Sequence, residues 1–185
     1  MGALDYPIDK LEIIFVTEAC DPARRGALLA ASLPIHMQII TVPTGLPQTK
    51  PRALNYALLA ATGDLVAVFD TEDVPEPAQL RKAAMMFVHA GPERACVQAR
   101  LSIHNPDDSF LTRQFTLEYA ALFEATLPAL ERLGLPILLG GTSNHFRKRA
   151  LVEAGAWDPF NVTEDADLGV RLARQGYRVT MLGNL

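Results

Sequence analysis

The stretch LVAVFDTEDVPEPAQL, residues 65–80, decides how the rest of the chain is read. It opens with an unbroken apolar run of strand length, 65–69, the pattern of a parallel strand covered on both faces. Three acids then fall within four residues, Asp70, Glu72 and Asp73, followed by two prolines and a helical segment. Unpaired buried charge is expensive, so carboxylates crowded at a strand end sit at a surface, face a cation or cap a helix. Side chains alternate along an extended backbone, so Asp70 and Glu72 would share a side if the chain stays extended. Hard divalent ions such as Mg2+ take oxygen ligands, commonly one or two carboxylates completed by substrate phosphates. In the competing reading Asp73 caps the next helix and the other two acids are solvated.

Outward from this stretch, short β-rich runs alternate with helix-like runs. Strands are expected at 11–16, 38–42, 95–103 and 177–182. A helix is expected at 21–32. Another begins near Arg52, where Leu54, Ala57, Leu58 and Ala61 form an amphipathic stripe ended by Gly63. Further helices are expected from Pro75 or Glu76 to Ala90, over 109–133 with a break near Pro128, and over 147–155 and 163–175. Strands alternating with helices imply an α/β fold with a mainly parallel sheet. In such sheets ligands sit beyond the carboxyl ends of the strands, the edge where the acids after Phe69 lie.

The bulk properties exclude several classes. The 185 residues suit a single domain, and 49% hydrophobic with 21% charged residues is a globular rather than a disordered composition. A net charge of -4 argues against a nucleic-acid partner. Cys20 and Cys96 stand far apart without metal spacing, which points to a reducing, cytoplasmic compartment. There is no apolar run of about 18 residues and no secretory signal at the start.

Three more stretches could carry chemistry. Thr163-Glu164-Asp165-Ala166-Asp167 reads as a helix start, with Thr163 as N-cap and the acids complementing the dipole. Asp165, however, shares a helical face with Leu168 and Leu172, so its carboxylate points inward or into a cleft, where it could act as a general base. Gly140-Gly141-Thr142-Ser143-Asn144-His145-Phe146 gathers donors around backbone able to approach a ligand closely, or else is a glycine turn with local hydrogen bonds. Arg147, Lys148 and Arg149 after it read as a solvated helix face ahead of the alternative, phosphate contacts. Lys50 and Arg52 stand at a helix start, where cation and dipole could meet an anion. Trp157, Phe160 and Tyr177 suit either a core or a sugar site. No phosphate-binding P-loop, Gly-x-Gly-x-x-Gly, His-Glu-x-x-His or Gly-x-Ser-x-Gly motif occurs.

Taken in order, five blocks resemble the family 2 glycosyltransferases, specifically the bacterial cellulose-synthase-like branch. They are residues 50–55 (KPRALN), 69–80 (FDTEDVPEPAQL), 97–100 (VQAR), 140–146 (GGTSNHF) and 157–169 (WDPFNVTEDADLG). The resemblance implies a GT-A fold, a Rossmann-like sheet that binds a nucleotide-diphosphate sugar, a UDP-sugar above others, with Mg2+ or Mn2+. It implies inverting transfer to a saccharide or lipid-linked acceptor. Asp70 and Glu72 then occupy the Asp-x-Asp position that holds metal and donor, with Glu in the last place. Glu18 and Lys50 fall at donor-contacting positions. The Thr-Glu-Asp motif, with Glu164 and Asp165, supplies the catalytic base at Asp165. Gln98, Gly141, Thr142, His145 and Trp157 fall on the acceptor side.

Residues 4–90 would form the nucleotide-sugar half of one domain and 91–185 the acceptor and catalytic half. Compared with the family pattern, the first strand ahead of Leu4 is missing and the chain stops before the Gln-x-x-Arg-Trp segment and the membrane helices. This implies a partial catalytic domain of a membrane-associated enzyme at the cytoplasmic face of the inner membrane, weakly active by itself. Two other classes are open: a non-catalytic nucleotide-sugar-binding or regulatory module, and a nucleotidyltransferase.

Overall fold

The structure is a computed structural model that describes residues 4–183. Strand β1 (Ile13–Glu18) leads into α1 (Pro22–Ala30), which starts where Asp21 accepts a hydrogen bond from Arg24 N–H and Pro22 opens the first turn. β2 (Met37–Val42) returns parallel to β1, Ile13 opposite Met37 through Glu18 opposite Val42. Then come α2 (Lys50–Leu58), β3 (Leu65–Val68), α3 (Gln79–Val88) and β4 (Arg94–Gln98). A long helical region begins at α4 (Phe110–Ala120), where Ser109 and Thr112 form a capping box. It widens into a π-helical segment, Ala121–Thr126, and continues as α5 (Leu127–Arg132). Pro128 lies in the first turn of α5, and the widened turn before it accommodates a residue that cannot donate into the helix ladder. β5 (Asn144–Arg147), α6 (Lys148–Glu153), α7 (Glu164–Arg174) and β6 (Arg178–Met181) complete the fold.

The strands form two sheets. One is the β1–β2 pair; the other has the order β3-β5-β4-β6. β5 runs antiparallel to both β3 and β4, while β4 and β6 are parallel. Thus β3, β4 and β6 share one direction and β5 alone is reversed. The main core lies against this sheet, with Phe146, Leu151, Trp157, Leu168 and Leu172 each at most 2% exposed. Gly169 lets α7 approach the chain closely: a Cβ there would fall 2.3 Å from the Ile137 carbonyl oxygen. Among the described residues no helix is long and apolar enough to cross a membrane.

Several sequence expectations are corrected. β3 is not covered on both faces: Leu65 and Ala67 are exposed, because β5 is the only strand paired with β3 among the described residues. β5 itself falls where the sequence suggests a glycine loop leading into a helix. The helix at Arg52 ends at Leu58, before Gly63. Thr163 occupies the N-cap position of α7 without a side-chain cap, its hydroxyl donating instead to Asn161 Oδ1 at 3.1 Å. Arg147 and Lys148 are not a solvated face. Arg147 donates to the carbonyls of Arg94 and Phe87 and stacks its guanidinium over the Phe87 ring, and Lys148 donates to the Ala61 carbonyl.

Candidate active site

The acids after β3 fold back on themselves rather than running on as strand. Asp70 N–H donates to Asp73 Oδ2 at 2.8 Å and to Thr142 Oγ1 at 3.1 Å, and the Thr142 hydroxyl in turn donates to Asp73. Asp73 is therefore not a helix cap but the lock of this turn, joining it to the 140–143 loop. That lock leaves the Asp70 carboxylate facing out, one-third exposed, with Lys50 Nζ 2.5 Å from its Oδ1. The same ammonium donates to the Gly141 carbonyl at 2.5 Å. Lys50 opens α2, so one helix start, one strand end and one loop meet at a single positive charge. Glu72 is exposed on the turn.

The loop from Gly140 to Ser143 is held from beneath. Gln98 is fully buried; its amide donates to the Ala99 and Thr142 carbonyls, and its oxygen accepts from Gly140 N–H at 2.9 Å. Ser143 takes a φ of 56°, a left-handed conformation unusual for a serine. It is fixed by its N–H donating to Val68 O and its carbonyl accepting from Ala99 N–H. His145 is 3% exposed, with Nδ1 3.0 Å from Val97 O and Nε2 3.5 Å from Gln79 Nε2. Burial pushes its pKa down to about 4, so it is neutral at pH 7. Gln98 and His145 thus support the loop, while Gly141 is the member of the set that is exposed.

Asp165 sits in the first turn of α7, 7% exposed, on the same face as the fully buried Leu168 and Leu172, as its spacing predicts. The Trp157 indole N–H donates to its Oδ1 at 3.1 Å. Its Oδ2 lies 3.7 Å from where a Cβ on Gly141 would stand, which sets the carboxylate against the loop that binds Lys50. Burial lifts its pKa to about 6; the Trp157 hydrogen bond and the Lys50 charge pull it down, and Glu164 and Asp70 push it up. Trp157 is 2% exposed and packs edge-on against Phe146, so its ring lies buried behind the carboxylate and is not presented at the surface. Phe160 is 82% exposed. Glu18, at the end of β1, faces Arg52 of α2 at 3.7 Å, and Glu18 Oε2 and Arg52 Nη1 are both buried without a hydrogen-bond partner.

The structure therefore brings Lys50, Asp70, Gly141, Thr142, Trp157 and Asp165 together. Glu18 joins them through α2, and Gln98 and His145 lie one layer below. A residue to which the sequence assigns no role also enters. Asn55 Nδ2 donates to Trp157 O at 2.6 Å, and its Oδ1 accepts from Trp157 N–H at 3.1 Å. Its sequence signal is that it closes the KPRALN block, next to the apolar stripe of the same helix. A separate concavity of about 970 Å³, bordered by Arg94, Arg132, Pro136 and Tyr177, contains none of the site residues. Its size does not outweigh the chemistry gathered around Asp165.

No group of three or more His, Cys, Asp or Glu among the described residues stands close enough to hold a metal ion unaided. Asp70 and Glu72 nonetheless offer hard oxygen donors, and a cation already lies against Asp70 in the form of Lys50. Carboxylates are the donor type that Mg2+ or Mn2+ takes, with substrate oxygens completing the shell.

The profile of the family described as Glycosyltransferase like family 2 matches residues 1–184. The chain is 30% identical over 187 residues to the beta-monoglucosyldiacylglycerol synthase of Synechocystis, covering 98% of this chain and 38% of that protein. It is 33% identical over 124 residues to glucomannan 4-beta-mannosyltransferase 2 of Arabidopsis thaliana, covering 66% of this chain and 23% of that protein. The chain thus spans well under half the length of these curated relatives. Among solved structures, the mannosyltransferase PcManGT of Pyrobaculum calidifontis superposes with a TM-score of 0.70 at 24% identity, covering 97% of this chain and 48% of that one. Staphylococcus aureus TarS gives 0.73 at 15% identity, covering 100% and 52%. These likenesses show the GT-A fold; the cellulose-synthase-like branch is a finer assignment than they make. By its sequence, and with a fold to match, the chain belongs to the family 2-like glycosyltransferases.

Proposed function

We propose that the chain is a catalytic domain of an inverting glycosyltransferase. It would move a sugar from a nucleoside-diphosphate sugar to a hydroxyl of a saccharide or lipid-linked acceptor, with Asp165 as general base. The observation that carries this is the Asp165 carboxylate itself: buried, oriented by an indole N–H and set across from Lys50 and Asp70. A carboxylate with its pKa lifted to about 6 is still ionised at pH 7 to 8 and is a stronger proton acceptor than an ordinary aspartate.

In the reaction the acceptor oxygen attacks the anomeric carbon from the face opposite the diphosphate. Asp165 takes the hydroxyl proton as the new carbon–oxygen bond forms. The bond to the diphosphate breaks, and the electron pair leaves with the nucleoside diphosphate. Lys50, at the start of α2, would contact the departing anion. Asp70 and Glu72 would hold Mg2+ or Mn2+, whose charge stabilises the leaving diphosphate. Glu18 would face the nucleoside, and the exposed Gly141 would border the acceptor. Residues 4–90 then serve the donor and 91–185 the acceptor and the base.

Structural neighbours support a donor of this class: PcManGT is described in complex with GDP-Man and Mn2+, and TarS in complex with UDP-GlcNAc. Guanosine and uridine both occur, so the expected preference for uridine is not carried into the proposal. The relatives' names span a polysaccharide and a diacylglycerol product, which keeps both acceptor classes. The test is Asp165→Asn in the chain. Sugar transfer should fall about 10²- to 10⁴-fold, the usual contribution of a general base, with donor affinity retained. Turnover within threefold of wild type would remove the base from Asp165.

A further inference from the structure

We propose that Asn55 is a positioning residue for the transfer reaction, clamping the main chain of Trp157 so that the indole N–H holds the Asp165 carboxylate in its attacking orientation. This rests on the reading of Asp165 as the base. Asn55 lies on α2, five residues after Lys50, and is 102 positions from Trp157 in sequence. Its side-chain amide meets both polar groups of the Trp157 main chain, donating to O at 2.6 Å and accepting from N–H at 3.1 Å. Such a two-point contact fixes rotation as well as position. It is needed because Trp157 lies outside any helix or strand, next to Ala156 with a φ of 51°.

From that anchor the indole reaches inward against Phe146 and donates to Asp165 Oδ1 at 3.1 Å. The carboxylate is thereby turned with Oδ2 toward Gly141. The other groups acting on it are Lys50, Asp70 and Glu164, and the buried Cys96 thiol also feels its charge. None of these is a directional hydrogen-bond partner of the carboxylate; the indole is. α2 therefore carries at its start the lysine that meets the donor side and, a turn and a half later, the amide that aims the base. A helix that serves both would keep donor contact and base orientation in one rigid body.

Trp157 is the only tryptophan in the chain, so its indole N–H gives one resonance that reports directly on this contact. The test uses the full chain labelled with ¹⁵N-tryptophan, comparing wild type, Asn55→Ala, the milder Asn55→Ser, and Asp165→Asn. Asn55→Ala should shift the indole proton upfield and speed its exchange with solvent. Asn55→Ser should do so to a smaller degree, and it carries the test if the alanine variant fails to fold. The kcat for sugar transfer should fall about 10- to 100-fold, as expected when a reacting group is misplaced by a fraction of an ångström to one ångström, while donor KM stays within about twofold. An indole resonance and exchange rate unchanged in folded Asn55 variants would overturn the proposal. So would a loss of activity expressed in donor KM with kcat intact. A failure of the base assignment is seen separately, as full turnover in Asp165→Asn.

Discussion

At the scale of single residues, Asp165 carries the sharpest consequences. Its folded-state pKa of about 6 lies above the ordinary aspartate value of 3.8, because burial penalises the charged form. As the proposed base, Asp165 must be ionised, so kcat/KM for transfer should rise with pH through an acid limb near pH 6 and level off above it; a pH–rate profile checks this. Trp157→Phe removes a hydrogen bond that pulls this pKa down, so it should move the limb to higher pH. Stability runs the other way. A carboxyl whose pKa is raised by folding contributes stability below its unfolded value, and that contribution is lost as pH rises through the folded value. Above pH 6 the ionised Asp165 weakens the fold, and Asp165→Asn should raise stability at pH 8 by about 1–2 kcal/mol, with little gain at pH 4. Urea unfolding at the two pH values measures it. Asp165 was legible because Leu168 and Leu172 continue its face. Trp157 was legible as a residue but not as a partner, since aromatic character alone does not tell an indole donor from a sugar platform.

Among elements, α7 shows what periodicity reveals and what it conceals. Its apolar stripe is plain in the sequence, yet the contact that sets its depth comes from Gly169, which periodicity ignores. A Cβ there meets the Ile137 carbonyl oxygen at 2.3 Å, and backbone cannot yield as a flexible side chain can. Gly169→Ala should therefore cost about 1–3 kcal/mol by denaturant unfolding, against the usual gain from replacing glycine in a helix. Since Asp165 lies one turn earlier, activity should fall with stability. β5 was hidden for the opposite reason. Asn144-His145-Phe146-Arg147 has no alternation of apolar and polar residues, and three of the four are fully buried or nearly so. Most of their polar groups are met from neighbouring segments: Asn144 Nδ2 donates to Gly140 O, His145 Nδ1 meets Val97 O and Arg147 donates to Arg94 O, while Asn144 Oδ1 is buried without a partner. Only pairing with β3 and β4 makes this segment a strand, and pairing at a distance leaves no local pattern.

Across the whole molecule, the order of the motifs conveyed the fold class before any single motif conveyed a site. Strands alternating with helices predicted an α/β sheet with ligand groups at its carboxyl edge, and Asp70 at the end of β3 lies there. The reversed β5 and the division into two sheets were not legible, because they depend on which strands pair. Equally hidden was the meeting of Lys50, Asp70, Gly141 and Asp165, four residues spread over more than half the chain and joined only by the packing of α2, β3, the 140–143 loop and α7. Their charges set the final expectation. With Asp70 and Glu72 as the oxygen donors, the affinity for a nucleoside-diphosphate sugar should depend on a divalent ion. Calorimetric titration of the chain with GDP-mannose, UDP-glucose and UDP-N-acetylglucosamine, in Mn2+ and in EDTA, measures this directly. The account predicts heat of binding for at least one donor in Mn2+ that is lost in EDTA and in Asp70→Ala. Binding of equal strength in EDTA, or an Asp70→Ala chain that still binds with full Mn2+ dependence, would contradict it.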